Sequence, residues 1–422
     1  MSSTRYSTLS ANPSLSRRAL KEVTFDSKSH KAVLFQMYGS VWPKVLPFCL
    51  MNVAIAACIF YMKEGRFKTD LTFSDRGHTF MSLMVSFLVV SRAQIVYSRY
   101  MEARKYLSDA MRSCRELVQH MAILTLYESS KEVREWRYEV AYRTILLLRV
   151  LCAAIEFPSC KNNAWDIPEM DEAHRRQLMQ CLVLDPEVTE TLTTSARTVV
   201  KQGNMKDLSH GIRSATDENF RVPVVMAYQL REAIVKNREI RTGGIFVHVN
   251  EELKILQFVS EFNGAYHGLR KLITTPFPFP LVQMARTFLF VWVFTLPFAL
   301  AGDIKQPIQV CMIIFVITYG FIGLEYVSME LDDPFGNDPN DFDDLSMSQM
   351  VFEDIYITIN EIDGRAAADK LRLKVKNKSA VGTDQESFVA GSQFLNAVFD
   401  GERSPLVNRG NVTVTFASND KR

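Results

Sequence analysis

Net charge is nearly absent from this sequence. Its 422 residues carry 49 Lys and Arg against 47 Asp and Glu, a formal charge of +2. That balance excludes a general nucleic-acid binder, which shows a strong basic excess. Paired cysteines are missing too. The 7 cysteines (Cys49, Cys58, Cys114, Cys152, Cys160, Cys181, Cys311) are scattered without a C-x-x-C pair. Neither a disulfide framework nor a zinc site is indicated, and reduced thiols are expected. No G-x-x-x-x-G-K-[ST] or H-E-x-x-H string occurs, and the 7 His are dispersed. No enzyme chemistry is therefore expected. Apolar residues are not scarce: 47% of the chain is hydrophobic, with 28 Phe and 18 Met. Disorder is excluded, because a disordered chain lacks the apolar side chains that offset ordering entropy.

Charge is also missing locally, and there the absence is informative. Residues 46–62 contain no charged side chain, nor do residues 306–324, and residues 272–302 carry only Arg286. A helix needs about 20 apolar residues to cross a hydrocarbon core about 30 Å thick. A fourth, shorter run, residues 77–91, is closed by Arg92 and Arg99. About four membrane spans are expected, near residues 46–64, 77–98, 279–302 and 306–325.

Between the second and third spans the pattern changes. In residues 99–122, Ala103, Leu107, Ala110, Met111, Cys114, Leu117, Val118 and Met121 recur every three or four positions, as a buried helical face requires. Leu253, Leu256, Val259, Phe262, Tyr266 and Leu269 repeat the spacing. Residues 142–155 are apolar but interrupted by Arg149, which suits a buried helix outside the membrane. Residues 100–271 therefore read as a helical soluble layer. Residues 1–21 hold 6 Ser, 3 Arg and no acid, a composition shared by disordered tails and organelle transit peptides. From residue 365 onward Lys, Ser, Gly and Asn accumulate, and an extended tail over residues 365–422 is expected.

Residues 306–364 contain 12 acids and no Lys or Arg, and 8 of these acids lie between Glu325 and Asp344. Carboxylates so crowded repel one another unless water or a cation screens them. Hard cations such as Ca²⁺ take six to eight oxygens from carboxylates and carbonyls on a turning loop. Pro334, Gly336 and Pro339 supply turn residues over the loop at 325–344. No EF-hand register fits, so a solvated acidic loop and a cation site both remain open.

The string DDPFGNDPNDFDDL (332–345) resembles the signature loop of bestrophins, a family of pentameric anion channels. GSVWPKVL (39–46), SRAQIVYSRYMEARK (91–105) and FPFPLVQMARTFLFVWVFTLPFAL (277–300) resemble family landmarks in the same order. The YSRYMEARK and TLPFAL versions look closer to the plant, algal and bacterial branch than to animal members. The likeness covers roughly residues 35–344, with a weakly matched middle. It implies an all-α membrane protein, a homopentamer around a central pore, with residues 22–364 as the channel domain.

The resemblance also implies site residues. The family's hydrophobic pore neck falls on Leu83, Phe87 and Ser91, whose i, i+4, i+8 spacing puts them on one helical stripe. Ser91 departs from the bulky apolar residue usual there. A second, cytosolic aperture falls on Phe279, before Pro280 and Leu281. The family's calcium clasp matches the side chains of Asp338 and Asp341 and the backbone carbonyls of Glu330 and Asp333, with a further donor near Val23. Asn337 and Pro339 stand where animal members have acids. SFVAGS (387–392) faintly resembles a tail segment that inhibits animal members. Arg92, next to the neck stripe, is a candidate for drawing anions inward, or else snorkels to the interface or pairs with a carboxylate such as Glu102. Arg286 has the same two readings.

The expectation is therefore a passive channel for chloride, and for small anions such as bicarbonate, with calcium as modulator. Its partners would be the bilayer, small anions and further copies of itself, and no nucleic acid. The transit-like N-terminus, taken with the resemblance to plant and algal members, implies a chloroplast thylakoid membrane, with a plasma membrane as the alternative. Two rivals are a secondary transporter, which usually shows internal repeats, and a membrane-anchored calcium-binding scaffold.

Overall fold

Each charge-poor run becomes a long helix. In the computed structural model, residues 28–64, 75–160, 162–182, 205–238, 248–304, 306–336 and 338–376 are described. They fall within a unit running Met1–Ser379. Among them every regular element is helical. A short α1 (His30–Phe35) leads to α2 (Trp42–Glu64), the 50-residue α3 (Asp75–Leu124) and α4 (Lys131–Cys160). Next come α5 (Glu172–Cys181), α6 (Met205–Val235) and α7 (Val249–Thr274). The last described helices are α8 (Phe279–Asp303), α9 (Pro307–Asp332), α10 (Asp344–Asp363) and α11 (Arg365–Lys376).

Four of these, α2, α3, α8 and α9, are long and apolar enough to cross a membrane. Proline opens α8 and α9 within the first turn, where its missing N–H costs no helical bond. Their shared core includes Cys49, Ile59, Val85, Val89, Leu289, Val293, Ile314 and Ile322. Polar side chains fix the packing where apolar contacts alone are unspecific. Asn52 Nδ2 donates to Val293 O at 3.0 Å and Thr318 Oγ1 at 2.8 Å, tying α2 to α8 and α9. Lys63 Nζ donates to Ala301 O at 3.1 Å, satisfying a carbonyl in the last turn of α8.

At 1.5 Å per residue, α3 is about 75 Å long, far more than a hydrocarbon core about 30 Å thick. Its second half therefore leaves the membrane and carries the helical layer expected for residues 100–271. Ala103, Leu107, Ala110, Cys114, Leu117, Val118 and Met121 are buried there, in one core with Ile145–Leu148, Phe220, Phe262, Tyr266 and Ile355. At Gly268 on α7 an added Cβ would lie 2.6 Å from the Tyr106 ring, so only glycine permits this approach to α3. Arg149, which interrupts the apolar run of α4, is absorbed by Glu169 at 2.9 Å.

Three expectations need correction. The tail is not extended from residue 365, because α11 continues to Lys376 and buries Ala368, Leu371 and Val375. The acidic segment is not one loop over 325–344. Glu325–Asp332 is the last part of α9 and Asp344 the first residue of α10, so the loop is residues 333–343. Leu253 is exposed rather than buried; the inward face of α7 runs through Ile255, Phe258, Val259, Phe262, Tyr266 and Leu269. Residues 1–27 and 377–422, with the transit-like start, Val23 and SFVAGS, lie outside the described residues, as does Asn337.

Candidate functional site

The first half of α3 has two unlike faces. Val85, Val89, Arg92 and Val96 turn inward against the other membrane helices. The opposite face carries Phe80, Leu83, Phe87 and Val90; Leu83 is 72% exposed and Phe87 71%. Ser91, third on the expected neck stripe, is half-buried. Leu83 and Phe87 thus lie on a face left open by the other described helices of the same chain, and Ser91 lies at its partly covered end. The spacing follows from helical geometry, and the exposure from packing that uses only one side of α3.

Phe279 is the first residue of α8, follows the N-cap Pro278 and is 70% exposed. The non-helical entry to it is held from α3. Arg99 donates to Leu272 O at 3.1 Å and to Thr275 O at 2.8 Å. The last turn of α7 and the approach to Phe279 are thereby tied to the helix that bears Leu83 and Phe87.

Arg92 is not open to a vestibule. It is 3% exposed, and its Nη1 pairs with Glu325 Oε1 on α9. Arg286 on α8 donates through Nε to the same oxygen at 2.6 Å. The partner is thus Glu325 rather than Glu102, which instead accepts the Tyr106 hydroxyl at 3.0 Å. Sequence reasoning missed this cluster because Arg92 and Glu325 lie 233 residues apart and no local spacing connects them.

The acidic loop folds back on itself. Asp338 N donates to Asp341 Oδ2 at 2.6 Å, and Asp341 N donates to Asp338 O at 3.1 Å. A Cβ placed on Gly336 would meet Asp341 Oδ2 at 2.9 Å and Asp333 Oδ2 at 3.3 Å, so two carboxylates fill the space glycine leaves. Burial, with the negative charges of Asp332 and Asp338, pushes the Asp333 carboxyl above its usual range. Among the described residues no three acid, His or Cys side chains converge as a metal cluster. A cation here would need backbone oxygens as well. An oxygen-only set short of positive charge fits a hard cation. The Asp333 carboxylate lies beside that of Asp341 at Gly336, while the Glu330 side chain is engaged elsewhere.

That engagement joins the loop to the start of α2. Lys44 Nζ pairs with Glu330 Oε1 at 2.6 Å, and Asn340 Nδ2 bridges Glu330 Oε2 at 2.9 Å and Gly39 O at 3.1 Å. Tyr100 on α3 donates to Asn340 O at 3.4 Å and packs its ring 4.4 Å from that of Phe342. Lys44 and Asn340 were not singled out from the sequence, since their partners lie 286 and 301 residues away.

Comparison with known proteins supports the resemblance. The sequence model of the family described as bacterial/fungal bestrophin protein matches residues 23–360. The voltage-dependent anion channel-forming protein YneE of Escherichia coli O157:H7 is 23% identical over 309 residues, 73% of this chain and 84% of that protein. YneE of Salmonella typhimurium is 22% identical over 314 residues, with the same coverage. Among solved structures, a point-mutant form of a bacterial bestrophin homolog from Klebsiella pneumoniae matches with a TM-score of 0.56 and 18% identity. The match covers 75% of this chain and 99% of that one. These relatives are bacterial and lend no support to a chloroplast location.

Proposed function

The chain belongs to the bestrophin family, and on that basis we propose that it forms an anion-conducting channel from five copies around a central pore. It is a multi-pass membrane protein with four helices fit to span. The observation that carries the reading is the uncovered apolar face of α3. Leu83 and Phe87 are exposed there, within a membrane span, opposite the face of α3 that packs on the other spans. In a ring of copies each becomes a ring of apolar side chains, which narrows a pore and gates it by dewetting. Ser91 loosens the inner end of that neck, leaving Phe87 as the tightest ring. Phe279, exposed and tied to α3 through Arg99, is the second constriction.

Conduction is passive and needs no covalent step. Chloride is the permeant ion, with bicarbonate among the small anions that follow it. The name of the YneE relatives, anion channel-forming proteins, agrees with this assignment.

Calcium is proposed as modulator. Asp338, Asp341 and Asp333, with the carbonyls of Glu330 and Asp333, would hold it. Bound there, it would supply the positive charge that the loop lacks. Through Asn340 and Tyr100, the protein's own residues connect this loop to the helix bearing the neck.

Chloride efflux from liposomes containing the purified protein tests the proposal. Efflux without counter-ion exchange is expected. Efflux that requires an exchanged anion would favour a transporter, and calcium binding without efflux would favour a scaffold.

A further inference from the structure

Helix α8 lacks one backbone hydrogen bond in its interior. Pro297 has no N–H, so the carbonyl four residues back, Val293 O, has no helical donor. Val293 and Pro297 are both buried, and they lie in a membrane span, where an unsatisfied backbone group is costly. The missing donor comes from another helix. Asn52 Nδ2 on α2 donates to Val293 O at 3.0 Å, and also to Thr318 Oγ1 on α9 at 2.8 Å. A carbonyl only accepts, so the amide nitrogen of Asn52 has to face it. Asn52 is fully buried and its Oδ1 meets no protein donor, so its nitrogen makes both of its bonds.

The two limbs of α8 on either side of this break have separate anchors. The limb after Pro297 is held by α2, since Lys63 Nζ donates to Ala301 O at 3.1 Å. The limb before it is joined to α3 by a reciprocal pair. His78 Nε2 lies 3.0 Å from Trp292 O, and Trp292 Nε1 donates to His78 O at 3.1 Å. The two rings stack with centroids 5.3 Å apart. Trp292 precedes Val293, so the turn of α8 that Asn52 completes is also the turn that grips the start of α3. Leu83 and Phe87 follow His78 on α3 by five and nine residues. Sharp bends in helices concentrate at proline, where the ladder is already broken.

We infer that residues 293–297 form a hinge in α8, that Asn52 holds it closed, and that its release loosens the start of α3. Asn52 is a positioning residue that acts through the α8 backbone. The hinge stands on this geometry alone, whereas its effect on current rests on the channel reading.

Hydrogen exchange read by mass spectrometry on the purified full-length protein in detergent tests it. The forms compared are wild type, Asn52→Leu, Pro297→Ala and the double variant. Leu is close to Asn in size and has no donor. Asn52→Leu should speed exchange of the amides at 298–303 and 79–85 by on the order of tenfold, the scale set by one buried acceptor left without a donor. Pro297→Ala supplies the missing N–H, so Asn52→Leu should change little in that background. In planar bilayers Asn52→Leu should shorten open dwell times by about threefold, and the double variant should restore them.

Equal acceleration in both backgrounds would make Asn52 a packing residue only and overturn the hinge, as would no acceleration at all. Acceleration at 298–303 with 79–85 unchanged would overturn the link to α3. Unchanged dwell times in a conducting protein would overturn the effect on current. Should Asn52→Leu fail to assemble, the double variant decides: rescue by Pro297→Ala upholds the hinge, and failure there overturns it. Wild-type protein that passes no current would instead defeat the channel reading and leave the exchange result standing.

Discussion

Arg137 on α4 grips Asp363 at the end of α10 with two parallel hydrogen bonds, Nε to Oδ2 at 3.0 Å and Nη2 to Oδ1. Its Nη1 also donates to Thr125 O, Thr125 Oγ1 and Glu128 O, the turn that closes α3. One guanidinium thus ties together the ends of three helices. Arg137→Ala leaves the Asp363 carboxylate buried without its bidentate partner and should cost about 3–5 kcal/mol. Thermal unfolding of the detergent-solubilised protein would register this as a large drop in Tm, nearly independent of salt.

Acid should weaken the fold at His174. His174 lies between two carboxylates, with Nδ1 2.6 Å from Asp171 Oδ1 and Nε2 3.1 Å from Glu139 Oε1. Burial pushes Glu139 upward, but hydrogen bonds and charge from His174 and Arg143 outweigh it and hold the carboxyl at about 2. Asp171 is likewise held low: burial opposes the shift, but the backbone N–H and ring of His174 outweigh it. Carboxyls depressed in the folded state add stability above their unfolded values of about 4 and lose it as pH falls towards the folded ones. Stability should therefore decline from about pH 4.5 towards about pH 2. Glu139→Gln should flatten that decline in unfolding measured across the acid range, and an unchanged slope would remove Glu139 from it.

Phe87→Ala should widen the tightest ring and raise single-channel conductance by about twofold or more, with anion preference retained. The Leu83 ring would then be the narrowest in the neck. Unchanged unitary current would place the constriction elsewhere.

Asp338→Ala combined with Asp341→Ala should abolish any calcium response. A bound ligand at about 100 times its Kd stabilises a protein by about 2.7 kcal/mol. Wild type should accordingly melt at a higher temperature in calcium than in chelator, and the double variant at the same temperature in both. A calcium shift surviving in the double variant would put the ion at another site.

The four spans were legible because a membrane helix must exclude charge over its whole length, and runs such as residues 306–324 do so without help from the fold. The soluble face of α3 was legible through its period. Helix α11 was not, because its buried stripe is only Ala368, Leu371 and Val375 among cations. The neck stripe could be placed on one face of α3, but its exposure depends on which side of α3 the other helices cover. Pairings between distant segments were out of reach. Arg92 offered Glu102 as a local partner, and only the packing of α3 against α8 and α9 brings Glu325 instead. Lys44 with Glu330 and Asn340 with Gly39 are of the same kind.

Anion conduction by this chain would show in the reversal potential of the purified protein in a planar bilayer under a potassium chloride gradient. Discrete current steps reversing near the chloride equilibrium potential are predicted. Steps reversing near the potassium potential, or a membrane that stays silent although the protein has inserted, would rule out an anion channel.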